Sequence, residues 1–462
     1  MFTRRHFLAG TAALAALPLP RSALADSAPF ALVARERSLS LLPGTSTPIW
    51  AYRDEWPLVL RTRRGQPFRA TLTNGLNEHT AIHWHGIRLQ NAMDGVPYLT
   101  QVPVQPGESF TYEFVPPDAG TFFFHPHCNT VVQLGRGLAG ALIVEDETEQ
   151  GLFLADHVVA IKDWRLKGDG SFDVFSTDKG AARGGTFGSV ETVNAQPAAK
   201  LEALANGWVR LRVLNLDVSR IVVLALDGAE GFLVGTDGNP LLPALPLKTW
   251  TLGPAMRVDI AFRMPAQSGV KLQNVWGAKP ALLAEISPIE SQLPGIGPMP
   301  ELAASRVTEP DLANAERLAF DLTAGHVSPE LEAYLKANSD LGLDSLCLPQ
   351  RTFWAINGKS WSGQDHQLKP PPLAELKLGK SYIFELFNGT PHQHPIHLHG
   401  HTFRVLRSSK GEIVSHLADT VLVAPKERVE IGFTADNPGE WMMHCHIIEH
   451  QETGMMGYVR VA

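Results

Sequence analysis

Ten histidines and one cysteine of this 462-residue chain fall in four short clusters. They are His83-Trp84-His85-Gly86, His125-Pro126-His127, His394-Pro395-Ile396-His397-Leu398-His399, and His444-Cys445-His446 followed by His450 and Met455. Together they look like a ligand set for four metal ions, so the fold must bring the two ends of the chain together. Neutral imidazole suits copper, zinc, iron and nickel alike. One thiolate with two histidines and a distant methionine is more selective: it is the set of a blue-copper electron-transfer site.

An internal repeat says how the clusters are carried. Gly65 to Asn74, followed by His83-Trp84-His85-Gly86, reappears as Gly379 to Asn388, followed by His397-Leu398-His399-Gly400. Pro106 to Phe114 matches Pro425 to Phe433, and each run then reaches a glycine, Gly120 or Gly439, with a histidine five residues on. A middle copy, Gly207 to Asn215 and Pro254 to Phe262, has Asn274 five residues after Gly269, where the other copies place histidine. That copy reads as a spacer or wall. The repeated segments alternate apolar and polar residues between glycine- and proline-rich turns, which predicts antiparallel strands in sandwiches. Domains are expected at 26–150, 151–287 and 314–462, with a linker over 288–313. The best helix candidate is Ser328 to Asn338, in a connecting stretch.

Residues 1–25 stand apart. Arg4-Arg5 in a twin-arginine pattern, an apolar stretch from Phe7 to Leu19 and Ala23-Leu24-Ala25 read as a cleavable export signal. About 13 apolar residues are too few to span a bilayer. The reading implies twin-arginine export to the periplasm. Losing three arginines and no acids takes the formal net charge from −7 to −10, which gives no support for nucleic acid or anionic membrane as partner. Of the three cysteines, Cys445 is most economically a free metal thiolate. Cys128 and Cys347 either pair in an oxidising compartment or stay as two buried thiols.

Residues i and i+2 of a strand share a face. His83 with His85, His125 with His127, His397 with His399, and His444 with His446 are therefore four same-face pairs. Cys445 then points the other way, so one strand joins two metal sites. His394 and His450 are placed to complete a His₂Cys site, with Met455 as weak axial ligand. The other eight histidines are too many for one ion and natural for three.

These motifs resemble those of the three-domain multicopper oxidases, the laccase and ascorbate-oxidase family, over nearly the whole chain after residue 25. The resemblance implies three cupredoxin-like Greek-key β-sandwich domains, an all-β fold, and four copper ions. It implies that His394, Cys445, His450 and Met455 bind type 1 copper, and that His83 and His397 bind type 2. His85, His125, His127, His399, His444 and His446 would bind the type 3 pair. It also implies oxidation of a small reducing substrate in one-electron steps, with four electrons passed to O₂. Asp94 sits where the family keeps an acidic residue near the cluster, although Asp94-Gly95 is also a common turn pair. Where some relatives carry glutamate after the second type 1 histidine, this chain has Gln451. The methionine-rich insertion of cuprous oxidases is missing, which tilts the expected donor toward phenols and aromatic amines over Cu(I) and Mn(II). Family type 1 sites take electrons through an exposed histidine, so the loops around His394 and His450 set access.

Other classes fit less well. A scaffold would have lost ligands, and a simple electron carrier needs only the type 1 set. Zinc has no redox role and needs no methionine. Three complete domains suggest a monomer. His79, His392, His401 and His416 lie off the pattern and read as supporting or surface groups, and Trp84 and Phe122 to Phe124 as packing.

Overall fold

The computed structural model describes residues 28–291, 297–324, 353–361 and 369–462. The export signal, Ser328 to Asn338, Cys347, His326 and His366 lie outside the described residues. Six sheets pair into three sandwiches, and the same wiring recurs in each. In one sheet, Phe30–Leu39 runs parallel to Phe68–Asn74, which is antiparallel to Ser109–Phe114. Ala155–Trp164, Trp208–Asn215 and Arg257–Arg263 repeat that arrangement. So do Glu316–Ala324, Ser381–Asn388 and Arg428–Thr434. The protein is all-β, built of sandwiches as its repeat predicts and cupredoxin-like as the resemblance implies, but each sandwich includes a parallel pair where the repeat predicted antiparallel strands.

The alternation in Phe68–Asn74 works as read: Phe68, Ala70 and Leu72 are buried, and the residues between them are half-buried. On the outer face Thr71 and Thr73 meet Thr111 and Ser109 across the ladder, each pair 2.9 Å apart. The asparagine ending each template does one job three times. The Asn74 side-chain amide donates to the carbonyls of Glu78 and Val104, that of Asn388 to His392 and Val423, and that of Asn215 to Arg220 and Leu252. The repeat glycines mark close approaches. Gly120 has φ +150°, and a Cβ there would lie 2.1 Å from the Gly238 carbonyl oxygen; Gly439, at φ +136°, sits against Asn91. Only glycine tolerates both the dihedral and the contact.

Trp208–Asn215 departs from simple alternation, being buried at every position. Its second face packs on the first sandwich. Arg210 pairs with Asp259 of its own sandwich and with Glu149 of the first, and Arg212 pairs with Asp156 while donating to Thr121 of the first. The strand Ala281–Ile289 runs past residue 287, and the stretch after it is pinned: Leu302 packs on Val234 and Ala261, and Glu309 pairs with Arg404. No helix among the described residues is long and apolar enough to cross a membrane. Cys128 is a free, buried thiol.

Candidate metal centre

Ile82–His85 pairs with Gly120–Pro126 in the first sandwich, setting His83 opposite His125. In the last, His394–Leu398 pairs with Gly439–Cys445, setting His397 opposite His444. The two sheets face each other, and eight histidine rings meet between them. His83 stacks on His399 with centroids 3.9 Å apart, and His85 on His397 at 3.7 Å. Nε2 of His399 lies 3.1 Å from that of His444, and Nε2 of His125 lies 3.4 Å from that of His446. Three sets of imidazoles bring their donor nitrogens within 4.8 Å of one another: His83, His397 and His399; His83, His85 and His125; and His127, His399 and His444.

The outer nitrogen of most rings is already engaged. Nδ1 of His83 meets the Asp94 carbonyl at 2.9 Å, that of His397 the Asp419 carbonyl at 2.8 Å, and those of His125 and His444 the carbonyls of Pro126 and Cys445. Nδ1 of His399 meets the Asp94 carboxylate at 2.9 Å, and Nε2 of His85 meets that of Asp419 at 3.0 Å. An oxygen acceptor fixes the N–H outward, so the other nitrogen turns a lone pair inward. Nε2 of His83, Nε2 of His397, Nδ1 of His85 and both nitrogens of His127 are buried without a hydrogen-bond partner. Buried imidazole nitrogens left bare in one cage are what metal ions satisfy.

Burial, reinforced by neighbouring imidazoles, holds His85, His127, His399 and His446 well below the ordinary histidine range. Burial lowers His125 and His444 as strongly, against the pull of their backbone acceptors. Those six rings are therefore neutral and ready to ligate, with little competition from protons.

The second centre lies on the opposite face of the same strand. Cys445 Sγ is 3.5 Å from Nδ1 of His394 and 3.6 Å from Nδ1 of His450, and those two nitrogens are 3.0 Å apart. Nε2 of His394 meets the Thr390 hydroxyl at 2.7 Å, and Nε2 of His450 donates to the Arg183 carbonyl. Both rings thus turn Nδ1 toward the thiol. Met455 is buried, and its carbonyl accepts the Cys445 N–H at 3.0 Å. Burial pushes the Cys445 thiol up and His450 down to about 3. Where an exposed type 1 histidine was expected, His394 and His450 are both fully buried. The reason is a segment of the middle sandwich that crosses the site and caps His450.

Asp94 unites its two readings. It is buried, its carboxylate holds His399, and the turn it begins needs Gly95, where a Cβ would lie 1.8 Å from the Ile82 carbonyl oxygen. Gln451 is buried with neither amide atom partnered. Trp84 and Phe122 to Phe124 pack the sandwich, and Phe123 also lies against His125 and His85. Asn274 is structural, its side-chain oxygen accepting from the N–H groups of Val223 and Trp276.

Sequence reasoning missed Asp419. It touches His85 and His397, and Arg257 of the middle sandwich grips both its oxygens, at 2.9 and 2.5 Å. Burial opposes its charge, but Arg257 and His397 outweigh that and hold the carboxyl below the usual carboxylate range. On the other side of Arg257, burial pushes Asp237 up to about 7, with Arg257 opposing and Asp419 adding to the rise. An aspartate between two strands, whose partners Arg257 and His85 lie 162 and 334 positions away, leaves no local pattern to find.

A thiol–imidazole centre joined by one strand to a histidine cage between the first and last of three sandwiches defines a copper-dependent oxidoreductase. The chain belongs to the multicopper oxidases. Multicopper oxidase family models match residues 34–149 and 345–462. The crystal structure of a multicopper oxidase from Pseudomonas thermotolerans is 40% identical, covers 93% of this chain and 98% of its own, and superposes with a TM-score of 0.84. One from Pseudomonas parafulva is 38% identical, covers 94% and 100%, and has a TM-score of 0.81. Multicopper oxidase MmcO of Mycobacterium tuberculosis is 29% identical over 89% of this chain and 82% of its own.

Proposed function

We propose that this chain is a laccase-type enzyme that takes single electrons from phenols or aromatic amines and delivers four of them to O₂, giving two waters. In this reading His394, Cys445 and His450, with Met455 behind, hold type 1 copper. His83 and His397 hold type 2 copper, and His85, His125, His127, His399, His444 and His446 hold the type 3 pair. Bound copper would supply one-electron redox chemistry at the first centre and three further one-electron stores at the second, four electrons in all.

The observation that carries the reading is Cys445 between His444 and His446, its sulfur in one centre and its neighbours' rings in the other. Asp94 and Asp419 orient the rings, and Asp94 is the carboxylate we assign to proton supply. Gln451 holds no acidic proton and takes no such part. An organic donor is favoured because no methionine occurs between Met299 and Met442, which leaves no thioether to gather Cu(I) there. The twin-arginine pattern supports export and a periplasmic location, and three complete sandwiches support a monomer.

Oxygen uptake by copper-loaded protein with 2,6-dimethoxyphenol tests this, with and without excess Cu(II). Rapid uptake without added copper is expected. Uptake that requires it would make Cu(I) the immediate donor and the protein a metallo-oxidase. Cys445→Ser should lose the blue colour and the uptake while keeping its fold, and a blue, active variant would refute the assignment.

A further inference from the structure

The two imidazoles of the thiol centre are held by different parts of the chain. His394 is held locally: its Nε2 meets the Thr390 hydroxyl at 2.7 Å, and the Asn388 side-chain oxygen fixes Thr390 by accepting its N–H at 2.9 Å and its hydroxyl at 2.8 Å. His450 is held from another sandwich. It stands in the short helix Ile448–Glu452, and its Nε2 donates to the Arg183 carbonyl, 267 positions away. A carbonyl only accepts, so Nε2 carries the proton and Nδ1 turns its lone pair toward Cys445. Trp354 covers a face of the ring, 4.5 Å away between centroids.

The segment that brings Arg183 there is a closed loop, residues 177–188, and the Thr186 hydroxyl is its clasp. That hydroxyl accepts the Thr177 N–H at 3.1 Å, lies 3.1 Å from the Thr177 hydroxyl, and donates to one oxygen of Glu449. The other oxygen of Glu449 accepts the Thr186 N–H and, at 3.2 Å, the Ser219 hydroxyl. Two glycines let the neck close. A Cβ at Gly180 would lie 1.8 Å from the Thr186 hydroxyl oxygen, and one at Gly185, where φ is +96°, would lie 2.4 Å from Ser219 Cβ. From the last sandwich Trp354 Nε1 donates to the Ala181 carbonyl at 2.7 Å. The loop thus grips the helix through Glu449 and the ring of the next residue, His450, through Arg183.

We propose that this loop is a positioning device for the metal of the thiol centre: it holds His450 in ligating orientation before the metal arrives, with Thr186 as the positioning residue. The inference rests on the type 1 copper assignment above. The middle sandwich, in which Asn274 stands where the other copies place histidine, lends the last sandwich the orientation of one ligand. A free imidazole can turn either nitrogen to the thiol. Here the entropy of that choice is lost on folding rather than on binding, which tightens the site. The cage rings are oriented by other acceptors, chiefly Asp94 and Asp419, so the loop acts on one centre.

Copper-free, full-length protein titrated with Cu(II) against a competing chelator tests this. The blue absorption reads the thiol centre, and total bound copper reads the cage. Thr186→Val should weaken copper binding at the blue site about tenfold and leave the cage unchanged. Thr186→Ser, which keeps the hydroxyl, should restore it. In the copper-free protein, magnetic resonance should show the His450 Nε2–H exchanging with water at least tenfold faster in Thr186→Val. Trp354→Phe drops the bond to Ala181 and keeps a ring against His450. It should give a smaller loss confined to the same site, and it decides alone if Thr186→Val does not fold. Indifference of the blue site to these substitutions, equal weakening at both centres, or no rescue by serine overturns the positioning role while the copper assignment stands. Wild-type protein that binds copper without a blue band overturns the type 1 assignment and this inference with it.

Discussion

At the scale of single residues, the chemistry lies in which nitrogen of each ring is engaged. Asp94→Asn keeps the shape beside His399 but weakens its hold on the ring, and losses of such supports typically cost 10–100-fold. Reoxidation of the reduced protein by O₂ should slow by about that factor, more than substrate oxidation by the resting enzyme does. Equal slowing would argue against a proton role for Asp94. His401 gives a stability counterpart. Burial lowers it to about 4 against an ordinary 6.5, although its ring donates to the His399 carbonyl. Between those values the unfolded chain binds a proton that the native protein does not, so stability falls as pH falls through that window. His401→Phe in copper-free protein should remove about 1.6 kcal/mol of the loss between pH 6.5 and 5. Denaturant midpoints at the two pH values check it, and parallel losses in both proteins would refute it.

At the scale of elements, the repeat made the strands and the same-face pairing of ligands legible, because period and spacing are local properties. The opposed directions of Cys445 and its neighbours follow from strand geometry alone. What hid from the sequence is non-local: Asp419 lies between strands, and the cap over His450 is a loop of the middle sandwich 267 positions away. Burial of Arg210 and Arg212 was equally hidden, since alternation marks an outward face without saying what covers it. The asparagine that closes each template predicts a shared cost. Asn215→Ala strands two backbone carbonyls in the sandwich without a metal centre, which should cost about 2 kcal/mol and leave the blue spectrum unchanged. A calorimetric scan with a visible spectrum tests both halves, and a lost blue band would show that the middle sandwich shapes the centre directly.

At the scale of the whole molecule, the middle sandwich is more than the spacer its missing ligands suggested. Arg257 reaches from it to Asp419, which touches a histidine of the first sandwich and one of the last. Arg257→Leu leaves two buried carboxyls without their cation and should cost about 3–5 kcal/mol. Adding Asp237→Asn should recover part of it in the urea midpoint, and no recovery would mean that the arginine acts through packing alone. The split cage also sets a timetable. His127 leaves the ribosome 267 residues before His394, a delay of roughly 10–50 s at ordinary synthesis rates. For that interval four ligands stand ready with no partner strand to close over them. The cage can therefore close over metal only after the last sandwich, which brings His397, His399 and His444, has folded.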